Sequence, residues 1–346
     1  MRVLLLCVSL LLVGCAAGDG PASGPEVSDA DIGFAPRITP FDARLASLID
    51  PKAEVERLAS GYQWSEGPMW LPDEKALLFN DVPANTMYRW SRKEGARIFM
   101  QPSGLAEPDT AGIFREPGAN GMVLAGPGQA IVADHGLRAV VMLDLATRRK
   151  TVLADRFEGR RFNSPNDVVR HADGRIYFTD PPYGLRDLDA SPAKEQPHNG
   201  VYRIDPDGSV VLIDAQLSYP NGIALSPDGN TLYVANSDPA APIWMRYALD
   251  SDGNVTSRSQ FFDASPLVGE NAPGLPDGMA VASSGEVFAT GPGGVLVLSS
   301  NGELLGRIAT GSGIANCAFG DDGSVLYMTS HRFLARVPTR ARGLGF

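Results

Sequence analysis

Cysteine and histidine are scarce in this sequence, with three and four copies in 346 residues. Two of the cysteines, Cys7 and Cys15, stand near the N-terminus, so the body of the chain has no disulfide framework. Nor do Cys317 and the histidines take the close spacing of a zinc site. In the run IANCAFG, Cys317 reads as a small buried hydrophobe. Clusters of Lys and Arg are missing, and the formal net charge of −10 at pH 7 excludes the phosphate-neutralising surface that a nucleic-acid partner requires. A Gly-x-Ser-x-Gly elbow is absent, which argues against a Ser-His-Asp hydrolase of the α/β class. A Gly-rich phosphate loop is absent too, so nucleotide and redox cofactors are not implied. The apolar run from Val3 to Val13 is too short to cross a membrane.

That run follows Arg2 and ends in small residues, the layout of a secretory signal, and residues 1–14 are assigned to it. Leu12-Val13-Gly14-Cys15 resembles a bacterial lipoprotein box. The resemblance implies a lipid on Cys15 and a periplasmic address after export. With Ala16 rather than Asp in the next position, it also implies sorting to the outer membrane. Such a lipid anchors without spanning and is the one membrane contact expected. Residues 15–50, rich in Ala, Gly, Pro, Ser and Asp, read as the lipidated N-terminus and a flexible tether, leaving 51–346 as the folded domain.

Glycine and proline are plentiful, at 38 and 27 residues, and fall at intervals between short apolar runs, as in an all-β chain with many tight turns. Six segments share one pattern: an acidic or amide residue, a few mostly apolar residues, a Gly- or Asp-rich turn, then a β-branched or aromatic run. They are EGPMWLPDEKALLFND from Glu66, NGMVLAGPGQAIVAD from Asn120, NDVVRHADGRIYFTD from Asn166, NGIALSPDGNTLYVAN from Asn221, DGMAVASSGEVFAT from Asp277 and NCAFGDDGSVLYMTS from Asn316. Turns at Asp173-Gly174, Asp228-Gly229, Ser284-Gly285 and Asp322-Gly323 suit β-hairpins. The segments start 39 to 56 residues apart, close to one four-stranded propeller blade each, so a six-bladed β-propeller is expected. Residues 53–58 precede the first hairpin and are placed to complete the last blade, leaving no long edge unpaired.

Glu66, Asn120, Asn166, Asn221, Asp277 and Asn316 occupy one equivalent position, and every one carries a side-chain oxygen. Innermost propeller strands line a central channel, so these six oxygens are expected to face a common axis. Hard cations take six to eight such oxygens, which points to a central divalent-metal site. Asn-Gly and Asp-Gly pairs are also common turn formers. Here each hairpin already has its own downstream turn, and Glu66 is not a turn former.

With SEGPMW, RFNSPNDVVRHADGRIYFTDPPYGL, YPNGIALSPDGNTLYVAN and LPDGMAV in view, the chain resembles the gluconolactonase, regucalcin (senescence marker protein) and diisopropylfluorophosphatase group of propellers, over about residues 56–336. The PND to TDPPYG run looks most like bacterial gluconolactonases. The resemblance implies one divalent metal, Ca²⁺ first, with Zn²⁺, Mn²⁺ or Mg²⁺ as alternatives, held by Glu66, Asn166, Asn221 and Asp277. It also implies hydrolysis of a small-molecule sugar lactone, with Asp277 as the candidate general base. Whether the reaction needs a dedicated base stays open.

Further candidates lie around that set. Asn120 is expected to bind substrate or water, and His135, in ADHGLRAV, to offer substrate a hydrogen bond. Arg161 and Tyr183 are weaker substrate-binding candidates, with His198 behind them. Two other readings of the same site stay open: another lactone or an organophosphate ester as substrate, or a surface propeller that binds calcium without turnover.

Overall fold

The computed structural model describes residues 33–346; the apolar signal run, Cys7 and Cys15 lie outside them. Six antiparallel sheets, five of four strands and one of five, follow one another, with chain ranges 65–100, 119–154, 168–214, 220–263, 279–309 and 316–338, the last completed from the N-terminal side. They are blades 1 to 6 of a β-propeller. In every blade the first strand is innermost: Ser65–Leu71, Ala119–Gly126, Val168–Arg170, Pro220–Leu225, Met279–Val281 and Asn316–Gly320. Gly174, Gly229, Gly285 and Gly323 all hold positive φ, as the Asp-Gly and Ser-Gly turns require.

The core is divided among the blade interfaces. Alternate strand residues point to opposite faces of a blade, so each sheet is apolar on both sides and packs against two neighbours. Six buried clusters result, one per interface. Leu78 and Met87 meet Val132 and Val141 between blades 1 and 2, and Phe288 and Val295 meet Leu326 and Met328 between blades 5 and 6. At the interface of blades 6 and 1, Tyr327 and Leu334 pack with Trp70, Phe79 and Trp90. The indole of Trp70 stacks on Tyr327 with ring centroids 5.4 Å apart.

Ring closure follows the sequence reading. Glu56–Ser60 is the outermost strand of blade 6, pairing antiparallel with Phe333–Pro338, with Glu56 opposite Arg336 and Ser60 opposite Phe333. Blade 6 is thus built from both ends of the domain, and opening it exposes two interfaces together. Cys317 is buried there with Sγ 3.2 Å from the Phe288 carbonyl oxygen, and burial pushes its thiol well above the usual range.

The tether expected over residues 15–50 is corrected in its last part. Arg37–Pro40 adds a fifth strand to blade 5 by pairing with residues 306–309. Leu45 and Ile49 are wholly buried against blades 5 and 6. The Ala, Pro and Asp content of this stretch suggested a solvated linker. Its few apolar residues, Ile38, Leu45, Leu48 and Ile49, supply the face that docks it.

Candidate functional site

Residues at or near the ends of the second strands fix the approach to the innermost ones. Asp81 accepts from the backbone N–H groups of Gln63 and Trp64 at 2.9 and 3.1 Å. Asp180 does the same for Asn163 and Ser164 at 2.8 and 2.9 Å. Asn236 Oδ1 accepts from the Tyr219 N–H at 2.8 Å. The chain is pinned two or three residues before Glu66, Asn166 and Asn221, which sets where those side chains enter the channel.

Glycine after the ring residue lets neighbouring blades close. A Cβ on Gly67 would lie 2.1 Å from the Asn120 carbonyl oxygen, and one on Gly222 would lie 2.1 Å from that of Asp277. The Glu-Gly, Asn-Gly and Asp-Gly pairs at the channel are therefore close backbone contacts rather than turns.

Five of the six ring residues line one cavity of about 460 Å³: Glu66, Asn120, Asn166, Asn221 and Asp277. Asn316 stands below them beside Asp167, and both face a second cavity of about 690 Å³ at the opposite mouth. Hydrogen bonds from the Asn316 side chain reach Glu66 and Asp167. The ring position thus divides the channel into two chambers.

Acidic groups crowd this division. Burial raises the Glu66 carboxyl to about 8, with the charges of Asp167 and Glu116 adding to it. Asp277 is pushed well above the carboxylate range by burial, then by Glu66 and Asp167. Asp167, absent from the sequence candidates, rises to about 7 by burial although the N–H groups of Val168 and Ile223 donate to it. Asp277 Oδ1 is buried without a hydrogen-bond partner.

An orphaned carboxylate oxygen, two mutually repelling carboxylates and two amide side chains fit a hard cation. Asn221 Nδ2 donates to Ser237 Oγ at 3.0 Å, which turns Oδ1 of that amide to the channel. Among the described residues, no three His, Cys, Asp or Glu side chains form a metal cluster by themselves. A site here depends on the two asparagines, and the chemistry of the set is all oxygen.

The remaining candidates divide. Tyr183 lines the cavity and stacks on Tyr219 with ring centroids 5.9 Å apart. His135 is corrected from a substrate contact to a support. It is fully buried behind Asn120, with Nε2 3.3 Å from Asn120 Nδ2, and burial lowers its imidazole to about 3, so it is neutral. Arg161 is also corrected. Its Nη2 donates to the Leu137 carbonyl oxygen at 2.9 Å, away from the cavity lining, because the short hairpin of Arg156–Phe157 with Arg160–Arg161 carries it outward. His198 lies outside the lining too, with Nε2 2.9 Å from the Tyr202 hydroxyl.

Sequence reasoning missed Trp64, Arg115, Glu116, Ser237, Leu275 and Ile314, all in the cavity wall. They come from segments outside the repeat pattern; Trp64, Leu275 and Ile314, each two residues before a ring residue, and Ser237, directly after a repeat segment, carried a signal by flanking the repeats, whereas Arg115 and Glu116 carried none. Arg115 and Glu116 sit where two loops join: the Arg115 N–H donates to the Gly184 carbonyl oxygen at 2.9 Å, and Phe114 bridges Leu185.

Residues 64–332 match the family described as SMP-30/Gluconolactonase/LRE-like region. The chain belongs to that family. Its SMP-30/gluconolactonase relatives include a gluconolactonase of Zymomonas mobilis, 43% identical over 99% of this chain and 96% of the relative. Pentonolactonase XacC of Haloferax volcanii is 29% identical over 77% of this chain and 80% of the relative. The solved structure of XC5397 from Xanthomonas campestris, described as a gluconolactonase, matches with a TM-score of 0.74 at 31% identity, covering 88% of this chain and 94% of that one. The six-bladed fold and the family resemblance read from the sequence are both borne out.

Proposed function

We propose that this protein is a lactonase that opens a sugar-type lactone to the aldonic acid, with one divalent cation held by Glu66, Asn166, Asn221 and Asp277. The observation that carries it is the convergence of these four oxygen-bearing side chains in one cavity. In a family member 43% identical to a gluconolactonase, that cavity is the place for the reaction. The all-oxygen donor set favours Ca²⁺ over Zn²⁺, with Mg²⁺ and Mn²⁺ as the other hard ions. Such an ion supplies Lewis-acid polarisation of the lactone carbonyl and stabilises the oxyanion formed on attack.

The chain's own groups do the rest. Asn120 and Tyr183 line the cavity beside the four and are placed to orient the lactone. Asp277 has a buried carboxylate oxygen, Oδ1, with no protein partner, so it is the group placed to take a proton from the attacking water. A bond forms between water oxygen and the acyl carbon, the acyl–ring-oxygen bond breaks, and the ring oxygen leaves as a hydroxyl after regaining a proton. Trp64, Leu275 and Ile314 cover the apolar side and restrict bulk water.

Export and a lipid on Cys15, giving a periplasmic, outer-membrane-anchored enzyme, belong to the same proposal. They rest on the lipoprotein-box resemblance alone.

The test is pH-stat hydrolysis of glucono-1,5-lactone by a soluble form without the signal and Cys15, after chelation and after each ion is restored. Ion-dependent turnover that Glu66→Gln and Asp277→Asn both abolish supports the reading. Undiminished turnover in Asp277→Asn refutes the base assignment, and turnover unaffected by chelation refutes the cation.

A further inference from the structure

The cavity wall has two unlike sides. Trp64, Leu275 and Ile314 are apolar, and the closeness of Gly313 to Trp64 and Gly274 groups them together. Opposite in character are Arg115, Glu116 and Tyr183, brought to one place by two loops that are hydrogen-bonded to each other. Besides the Arg115 N–H, the Glu116 N–H donates to the Gly184 carbonyl oxygen, and Arg186 donates through its backbone N–H to Ile113 O at 2.8 Å and through Nη2 to Phe114 O at 3.2 Å. The pair is therefore carried on a braced element rather than a free loop.

Among the described residues, Arg115 is the only cationic side chain in the cavity lining. Its Nε and Nη2 both donate to one carboxylate oxygen, Glu116 Oε1. That leaves Glu116 Oε2 as an acceptor and the remaining guanidinium N–H groups as donors, side by side. From the buried side, His135 Nδ1 lies 3.9 Å from Oε2, beyond a hydrogen bond. Adjacent donors and an acceptor of this kind match a vicinal diol, in which one hydroxyl donates to the carboxylate and its neighbour accepts from the guanidinium.

We propose that Arg115 and Glu116 form the hydroxyl-recognising subsite of this enzyme and make it select polyhydroxylated lactones over unsubstituted ones. The inference rests on the lactonase reading above and deepens it by naming the substrate class. The lactone carbonyl lies toward Glu66 and Asp277, the ring hydroxyls lie on the Arg115–Glu116 side, and the C–H face packs on the Trp64 side.

The test compares the intact soluble enzyme with Arg115→Met, Glu116→Gln and Arg115→Lys on two substrates, glucono-1,5-lactone and unsubstituted δ-valerolactone. Removing hydrogen bonds to a charged partner should cost about 10- to 100-fold in kcat/KM on the sugar lactone, chiefly through KM. On δ-valerolactone the change should stay within about 3-fold, with Arg115→Lys recovering part of the loss on the sugar. Arg115 is half exposed and its backbone bond to Gly184 survives substitution, so the variants should fold, and unchanged thermal midpoints check it. An equal loss on both lactones, as for a pair acting on the reaction centre, overturns the proposal, as does no loss on either. A wild-type enzyme inactive on both lactones overturns the lactonase reading and this one with it, whereas normal wild-type turnover with unchanged selectivity in the variants overturns this one alone.

Discussion

Asn221 and Ser237 are joined by a 3.0 Å hydrogen bond that decides which atom of the Asn221 amide faces the cavity. Ser237 Oγ in turn donates to the Pro276 carbonyl oxygen, one residue before Asp277. A single hydroxyl therefore orients one proposed cation ligand and braces the approach to another. Replacing a partner that orients a ligand costs about 10- to 100-fold in metal affinity or activity. Ser237→Ala is expected to fall in that range for ion affinity measured by titration calorimetry, with the fold unchanged. Wild-type affinity in the variant would show that the amide is held some other way.

The acidic crowd at the channel gives the ion-free protein a pH dependence whose sign is fixed. Glu66 rises from 4.5 to about 8 and Asp167 from 3.8 to about 7 on folding. Between the unfolded and folded values the native state holds more protons than the unfolded chain, so stability falls as pH rises through that window. The thermal midpoint of chelated protein is expected to drop between about pH 5 and about pH 8, and to drop less in Glu66→Gln. Excess Ca²⁺ should reverse the loss at the upper end, because ligand at 100 times its Kd adds about 2.7 kcal/mol. A midpoint flat with pH in the chelated protein would contradict the burial of these carboxyls.

Much of the site was readable because propeller repeats convert sequence register into spatial register. Glu66, Asn120, Asn166, Asn221 and Asp277 were found by position in the repeat, and they share one cavity. The same logic failed for Asn316, one layer lower, and for Asp167, which stands where Gly67, Gly121, Gly222 and Gly278 stand in other repeats. A charged residue in a column of glycines was the available signal. Arg115 and Glu116 had none, since loops that contact each other through Gly184 leave no periodic trace. Arg161 misled because it stands just before the SPND segment that leads to Asn166, while its own side chain points to Leu137. At the N-terminus, composition suggested a linker to residue 50, and only the strand pairing of Arg37–Pro40 revealed the docked segment.

The glycines of the ring are a separate, structural test. Gly222 lies against the Asp277 backbone with no space for a methyl group, and the obstructing atom is a carbonyl oxygen that cannot rotate away. Gly222→Ala must push blades 4 and 5 apart, an overpacking cost of about 3 kcal/mol. At about 2–4 °C per kcal/mol, the thermal midpoint should fall by about 6–12 °C. Gly126→Ala, where a Cβ meets nothing within 4 Å, is the control and should stay near wild type. Equal midpoints for the two variants would mean that the blades are not packed as tightly as the backbone distances require.

The anchor proposal connects to the structure through the segment that follows it. The Ala35 N–H donates to the Thr310 carbonyl oxygen at 2.7 Å, and the loop beyond Thr310 supplies Gly313 and Ile314 to the cavity wall. Chain leading from Cys15 thus meets the propeller beside the cavity rather than at the opposite chamber. A lipid there would hold the enzyme at a membrane surface without altering the ligand set. Cys15→Ser is expected to move the full-length protein from the detergent-rich to the aqueous phase on detergent partitioning. Its kcat on soluble glucono-1,5-lactone should stay within about 2-fold, because anchoring without spanning leaves the cavity intact. Retention of the Cys15→Ser protein in the detergent phase would refute lipidation at Cys15, and a large fall in kcat would mean that the anchor shapes the site as well as its location.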